Sequence, residues 1–350
     1  MRVLIPVHDE RTFPALFKTY ADMGHEVVLG VPNLTLRAAR FDLIHIHWPE
    51  ALAGWQTPTT ETLDRIVADL DWWRGRCPVV ATVHNLAPHG RFESAVDRAL
   101  FARVYEACHL ITHFSAYSRD ELVRLHPGLA NARHLVHRPF LYTNITPFAV
   151  GRTAARERLG LRDGDFLIAA MGIIRERHEL DLLEEGIRQA RVPGKRVMLT
   201  TRFTGGRRRD RLRRRVWRFL SGRAGLTSGG PLPEPALATL CEAADVVVIQ
   251  RYPPHLNSGV MQLAMTFGTP MAAPAYGVYL EYLGDSGCVL YPPKDAAGLA
   301  RAIERIASED RHALIRRNLE VARDWGWDRN VSAILAELGM IQGRGKDAIA

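Results

Sequence analysis

Short apolar runs recur along this chain, each ending on polar residues and each followed by a stretch with helical spacing. Residues 246–249 (VVVI) are the sharpest case, β-branched, uncharged and as long as a strand buried on both faces. A loop with two prolines follows, then Asn257-Ser258-Gly259, an apolar helical pattern, a stop at Gly268 and Pro270, and a second short strand at 271–273. That order describes two parallel strands joined by a crossover helix, with polar residues gathered at the C-terminal end of the first strand. Open α/β sheets bind ligands at that end. The unsatisfied N–H groups of a helix start attract anions there.

The same alternation covers most of the chain. Strands are expected at 2–7, 27–31, 43–46, 78–83 and 110–114, with helices at 14–23, 59–73, 93–107 and 118–125. Pro139, Pro147 and Gly151 then interrupt the pattern. It restarts with strands at 166–171, 196–201, 246–249, 271–273 and 288–291. Helices are expected between these at 180–189, 209–220 and 235–243, and three more close the chain at 296–308, 312–324 and 328–338. At 350 residues the chain is longer than one core sustains. The expected fold class is therefore α/β, two Rossmann-like domains with parallel sheets facing across a cleft, over 1–150 and 151–325, with a loose tail over 339–350.

An apolar fraction of 47% with 24% charged residues suits a water-soluble globular chain, and no run of 18 uncharged apolar residues exists. Met1-Arg2 leads straight into a strand, so neither a signal peptide nor a membrane span is expected. Cys77, Cys108, Cys241 and Cys288 lie far apart without metal-ligand spacing and read as reduced residues of a cytosolic protein. The formal charge of +8 owes most to seven arginines within Arg207–Arg215. The basic segment Arg207–Leu220, with Trp217 and Phe219 near its end, suits an anionic membrane surface or a phosphate-bearing lipid. A solvated face is the plainer alternative, and no recognition motif for nucleic acid accompanies it.

Neither half carries a dinucleotide fingerprint, because His8-Asp9-Glu10-Arg11 follows the first strand and only Gly172 follows Met171. A Walker loop and a G-x-S-x-G elbow are missing too. What remains is a set of polar residues at strand ends. Asn257, Ser258 and Gly259 offer backbone N–H groups and side-chain donors to a diphosphate, or form a plain N-cap. Arg251, Tyr252 and His255 lie on the loop before them. Gly172, Arg175 and His178 follow the first strand of the second half, where a cation can neutralise departing phosphates. In the alternative, Arg175 pairs with Glu179 on a solvated turn.

In the first half, Asp9, Glu50, His84 and His89 all follow strands, where a base can take a proton from a hydroxyl. Trp48 is suited to packing or to stacking on a sugar ring. His45 and His47 are expected on opposite faces of their strand, and no tight ligand cluster marks a metal site.

Four segments in order, HIHWPE (45–50), TVHNLAPH (82–89), MGIIR (171–175) and HLNSGVMQLAMTFGTPMAAP (255–274), give the chain a resemblance. It resembles GT-B glycosyltransferases, and within them the xanthan-type β-mannosyltransferase family of bacterial exopolysaccharide assembly. The resemblance implies a sugar-nucleotide donor in the C-terminal domain, GDP-mannose first and UDP-linked sugars next. It implies a hydroxyl-bearing saccharide acceptor at the N-terminal domain, carried in some relatives on a polyprenyl diphosphate, and transfer with inversion. It also implies a terminal helix near 326–340 bracing the first domain, and a cytoplasmic enzyme peripheral to the inner membrane face. No tightly bound cofactor and no divalent metal are indicated. Two glutamates of the retaining relatives are replaced here by His255 and Leu263, and a frequent lysine by His178. A leucine cannot hold ribose hydroxyls. Retention on the same fold, or binding of a sugar nucleotide without catalysis, are the alternatives.

Overall fold

The computed structural model describes residues 1–7, 14–88, 93–174, 176–203, 232–252 and 256–340, with the side chains of 173 and 201–203 also left aside. Asp9, His89, Arg175, His255, the Arg207–Leu220 segment and the tail from 341 on fall outside the described residues. Two compact units account for the chain, Met1–Phe140 with the stretch from Trp325 on, and Leu141–Asp324. The boundary therefore falls at Phe140/Leu141 and not at 150/151.

The first unit holds a parallel sheet of β1 (Arg2–Ile5), β2 (Glu26–Leu29), β3 (Leu43–Ile46), β4 (Val79–Thr82), β5 (Leu110–His113) and β6 (His134–Val136). Its order is β2-β1-β3-β4-β5-β6. Strands β3, β4 and β5 are buried at every position, which explains their mainly apolar sequences, although His45, Thr82, Thr112 and His113 are buried within them too. Connections run through α1 (Pro14–Asp22), the single turn α2 (Pro49–Leu52), α3 (Thr60–Arg74), α4 (Ala95–Glu106) and α5 (Ala116–Leu125). Side-chain caps start three of these helices: Thr59 accepts from the Thr62 amide, Ser115 from Ser118, and Ser94 shares a capping box with Asp97. The edge strand β6 is not among the expected ones. Its three residues are only half-buried, too short and too polar to show as an apolar run.

The second unit holds β7 (Phe166–Ile174), β8 (Lys195–Phe203), β9 (Val246–Val248), β10 (Met271–Pro274) and β11 (Val289–Tyr291), all parallel, in the order β11-β10-β9-β7-β8. Its helices are α6 (Arg152–Arg158), α7 (Arg177–Gln189), α8 (Glu234–Ala243), α9 (Gly259–Thr266), α10 (Val278–Leu283), α11 (Ala296–Ser308) and α12 (Arg311–Val321). Buried Leu180, Leu183 and Ile187 of α7 repeat at i, i+3 and i+7, and meet Leu299, Ile303 and Ile306 of α11. Each such side chain contributes about 1.5–3 kcal/mol. The two helices approach closely because α7 carries Gly186, where a Cβ would stand 2.6 Å from Leu299 Cδ2.

Counted from its own first strand, each sheet follows the order 2-1-3-4-5 from one edge, the flavodoxin-like form of the doubly wound fold. The last helix, α13 (Trp327–Glu337), belongs to the first unit and packs on α1. Its Trp327 ring stacks on Phe140 at 4.6 Å. Among the described residues no helix is long and apolar enough to cross a membrane.

Candidate functional site

In the second sheet the chain leaves β7 toward β8 on one side, while β9 lies on the other. Connections that diverge from neighbouring strands open a crevice at their C-terminal ends. A pocket of about 160 Å³ occupies that place, walled by Met171 and Gly172 of β7, Gln250 and Arg251 after β9, and the start of α9. Ser258 is the N-cap of α9, its hydroxyl accepting from the Met261 amide at 3.2 Å. The amides of Gly259 and Val260 in the first turn have no acceptor within the helix. Both glycines keep this wall open. Gly172 has φ +99° and a Cβ there would lie 3.3 Å from Val260 Cγ2; one at Gly259 would lie 3.0 Å from the Tyr142 hydroxyl.

The loop after β9 is held by the first turn of α7. His178 Nε2 donates to the Tyr252 carbonyl at 3.1 Å, and the Arg251 guanidinium meets buried Glu179 at 3.2 Å. Glu179 also caps its own helix, accepting from the Glu176 amide at 3.3 Å. Arg251 is thus one partner that the structure gives Glu179, and the expected pairing with Arg175 lies outside the described residues. Asn257 and Arg251 line the pocket, whereas Tyr252 sits beside it with its ring against Tyr276 and under the Lys294 ammonium. Tyr279, whose ring completes the wall, hydrogen-bonds Ser258, and burial pushes its hydroxyl pKa up to about 12. The Tyr291 hydroxyl donates to the Ile249 carbonyl at 2.6 Å, pinning the end of β9. Neither tyrosine was singled out in the sequence, since each lies on a later element and only the fold brings it here.

Leu263 points into the core, 6% exposed. The turn after α9 is positioned by Asn318 of α12, which donates to the Gly268 carbonyl at 3.0 Å and accepts from the Gly287 amide at 2.8 Å.

In the first unit the polar residues gather after β3 and β4. His45 and His47 share one face, with ring centroids 4.3 Å apart, which corrects the expectation of opposite faces. Residues two apart in a strand point the same way. His45 lies between the Tyr20 hydroxyl at 2.9 Å and the Thr82 hydroxyl at 2.8 Å, and Thr82 continues to Thr112 at 2.8 Å. His47 Nδ1 shares a hydrogen bond with His84 Nε2 at 2.9 Å. Burial keeps these rings neutral: it lowers His45 to about 3 and His47 far below the usual imidazole range. His84 itself is half-buried and stacks on Trp48 at 4.8 Å.

Glu50, in the first turn of α2, is only 1% exposed, and its Oε1 accepts from the side-chain Nδ2 of Asn85 at 2.8 Å. It ties the loop after β3 to the loop after β4 and presents no open carboxylate. The structure therefore brings Glu50, His84 and Trp48 together at the C-terminal ends of the central strands β3 and β4. Among the described residues no group of three or more His, Cys, Asp or Glu side chains could hold a metal ion.

Two parallel doubly wound sheets with these crevices make the fold that of the GT-B glycosyltransferases. Sucrose-phosphate synthase from Thermosynechococcus elongatus superposes with a TM-score of 0.71 over 97% of this chain and 97% of that one, at 18% identity. HepE of Anabaena, in complex with UDP-glucose, gives a TM-score of 0.68 over 96% of this chain and 100% of that one, at 16% identity. In sequence, the GDP-mannose:glycolipid 4-beta-D-mannosyltransferase of Xanthomonas campestris pv. campestris is 26% identical over 78% of this chain and 74% of its own. No family model matches the chain.

Proposed function

We propose that this protein is a nucleotide-sugar-dependent glycosyltransferase that moves a hexose from a nucleoside diphosphate to a hydroxyl. The carrying observation is the pocket at the β7/β9 switch point, where a helix start, two glycines and an arginine converge. At about 160 Å³ it is smaller than the ~300–1,000 Å³ of whole-ligand sites. It suits the diphosphate alone. The amides of Gly259 and Val260, the Asn257 side chain and Arg251 supply donors to phosphate oxygens, and the +0.5 end of a helix dipole adds to them. Arg175 and His255 are assigned to the same donor from their sequence positions.

The reaction we favour is a single displacement with inversion. The acceptor oxygen bonds to the anomeric carbon while the bond to the phosphate oxygen breaks, its electron pair leaving on the diphosphate. Helix amides and arginine stabilise that charge as it develops. The acceptor proton goes to a base in the first unit. We assign this role to His84 rather than to Glu50, because His84 is half-exposed and backed by neutral His47, whereas Glu50 is buried against Asn85. Asp9 and His89 keep the standing of sequence candidates.

GDP-mannose is the first donor to try, on the strength of the Xanthomonas relative, and UDP-glucose the second, on that of HepE. A glycolipid acceptor is the one to try first, after the name of the same relative, and we assign the basic segment Arg207–Leu220 to meeting it at the cytoplasmic membrane face. Leu263 favours a second reading, a protein that holds a sugar nucleotide without transferring from it. Thermal stabilisation by GDP- and UDP-sugars tests the donor site, and release of nucleoside diphosphate with and without acceptor separates the two readings. No stabilisation by any of these nucleotides would sink both.

A further inference from the structure

Trp55 and Lys294 are the two non-glycine residues with positive φ among the described residues. For a bulky side chain this is strained backbone, and such strain gathers at functional positions. At Trp55 the strain sits just past a helix end. Helix α2 is one turn long and ends in a Schellman motif: Gly54 N donates to the Ala51 carbonyl at 3.0 Å, and Trp55 N to the Glu50 carbonyl at 2.9 Å. Gly54 takes the left-handed conformation that the motif needs, with φ 65°. Trp55 adopts φ 65° as well, a second left-handed residue that the motif does not require.

The result is geometric. Trp48 caps the start of the turn and Trp55 follows its end, so the chain doubles back and sets their rings 5.7 Å apart. The planes of Trp48 and Trp55 are tilted by 50°, and Trp48 also stacks on His84 at 4.8 Å with 29° between planes. Three flat rings thus run in sequence at the C-terminal ends of β3 and β4. Trp55 remains 38% exposed, although burying an indole is the usual gain from having one. Buried Glu50 and half-buried Asn85 lie in the same loops, fixing their geometry through the 2.8 Å bond.

We propose that Trp55 and Trp48 form an aromatic shelf that binds a pyranose ring of the acceptor, the apolar C–H face of the sugar lying against the indole. The proposal rests on the glycosyltransferase reading for the word acceptor, but not for sugar binding itself. A β-linked glucopyranose, with axial hydrogens on both faces, is the sugar chemistry that a flat ring selects. A hydrocarbon chain would need a groove, and an exposed ring following a one-turn helix offers a plane.

The test is saturation-transfer NMR and tryptophan fluorescence on the full chain with cellobiose as probe, and sorbitol and octanol as controls. Cellobiose should receive saturation at its axial C–H protons and quench fluorescence, while sorbitol should do neither. Trp55→Asn removes the ring and installs a residue that tolerates positive φ, so folding is preserved. It should weaken cellobiose at least 5-fold, and Trp55→Tyr should retain most of the binding. Stabilisation by GDP- or UDP-sugars should be the same in all three proteins. Cellobiose binding unaffected by Trp55→Asn, no binding at all, or octanol competing at the same ring would overturn the shelf while leaving the donor reading intact. Absence of nucleotide stabilisation beside Trp55-dependent cellobiose binding would remove the transferase reading and keep the shelf.

Discussion

Arg251 and Glu179 form an ion pair at 3.2 Å that joins the loop after β9 to the first turn of α7, with Glu179 all but buried. The carboxylate orients a guanidinium that also faces the switch-point pocket. Arg251→Ala should therefore lower affinity for GDP or UDP by about 10–100-fold, in line with a charge-assisted bond worth roughly 1.5–3 kcal/mol. Glu179→Ala removes this ion pair and should cost about 3 kcal/mol of stability, with a smaller loss of affinity. Calorimetric titration and chemical denaturation read the two effects separately. An Arg251→Ala protein binding nucleotides as tightly as the parent would remove Arg251 from the site.

Gly172→Ala should destabilise by about 1–2 kcal/mol and abolish nucleotide-induced stabilisation. Two causes act there, a φ of +99° and a Cβ 3.3 Å from Val260 Cγ2. Val260→Ala in the same chain relieves the contact but not the backbone, so it should restore only part of the stability. Full rescue would show that the clash alone matters.

His84→Gln should reduce turnover by roughly 10²–10⁴-fold, the range for loss of a general base. Stabilisation by the donor nucleotide should stay as in the parent. Glu50→Gln keeps an acceptor oxygen for Asn85 and should lower turnover far less. A larger loss from Glu50→Gln than from His84→Gln would return the base role to the carboxylate.

Four buried histidines make the first unit sensitive to acid. His45 is lowered to about 3, His137 to about 4, and His47 and His113 well below their usual value, in each case chiefly by burial. Well above pH 6.5 these rings are neutral in both folded and unfolded chains and contribute no pH dependence. As pH falls below 6.5 the unfolded chain takes up protons that the folded chain refuses, so stability falls. Each ring accounts for about 1.4 kcal/mol per pH unit at full slope, or up to about 5 kcal/mol together between pH 7.5 and 5.5. Denaturant unfolding at the two pH values measures this. Equal stability at both would mean that the rings accept protons in the folded state.

Much of the fold was legible because a strand buried on both faces leaves an unbroken apolar run. Val246–Val248 shows this, and the alternation with helices led to two doubly wound sheets, while the GT-B fold was expected from the resemblance of four segments. β6 was missed because His134–Val136 is a half-buried edge, and α2 because one turn carries no period. Strand order was beyond reach as well, so the switch point beside Gly172 became visible only once β9 was seen next to β7. The cap at Ser258 was one of two expected places, since a hydroxyl before an apolar run has a local cause. Burial of Glu50 has none. It depends on Asn85, 35 positions away, and no pattern near Glu50 announces it.

The Trp327 ring stacks on Phe140 at 4.6 Å and meets Phe114 edge-on at 5.6 Å, so α13 supplies part of the core of the first unit. Synthesis runs from the N-terminus, and domains generally fold as they emerge. Here the earliest unit to leave the ribosome lacks Trp327, Val331, Ile334 and Leu335 until all of Leu141–Asp324 has been made. The second unit, continuous in sequence, has every strand of its sheet sooner. Birth order and completion order are therefore reversed, and a nascent chain stalled before Trp325 would carry a finished second unit behind an unfinished first one.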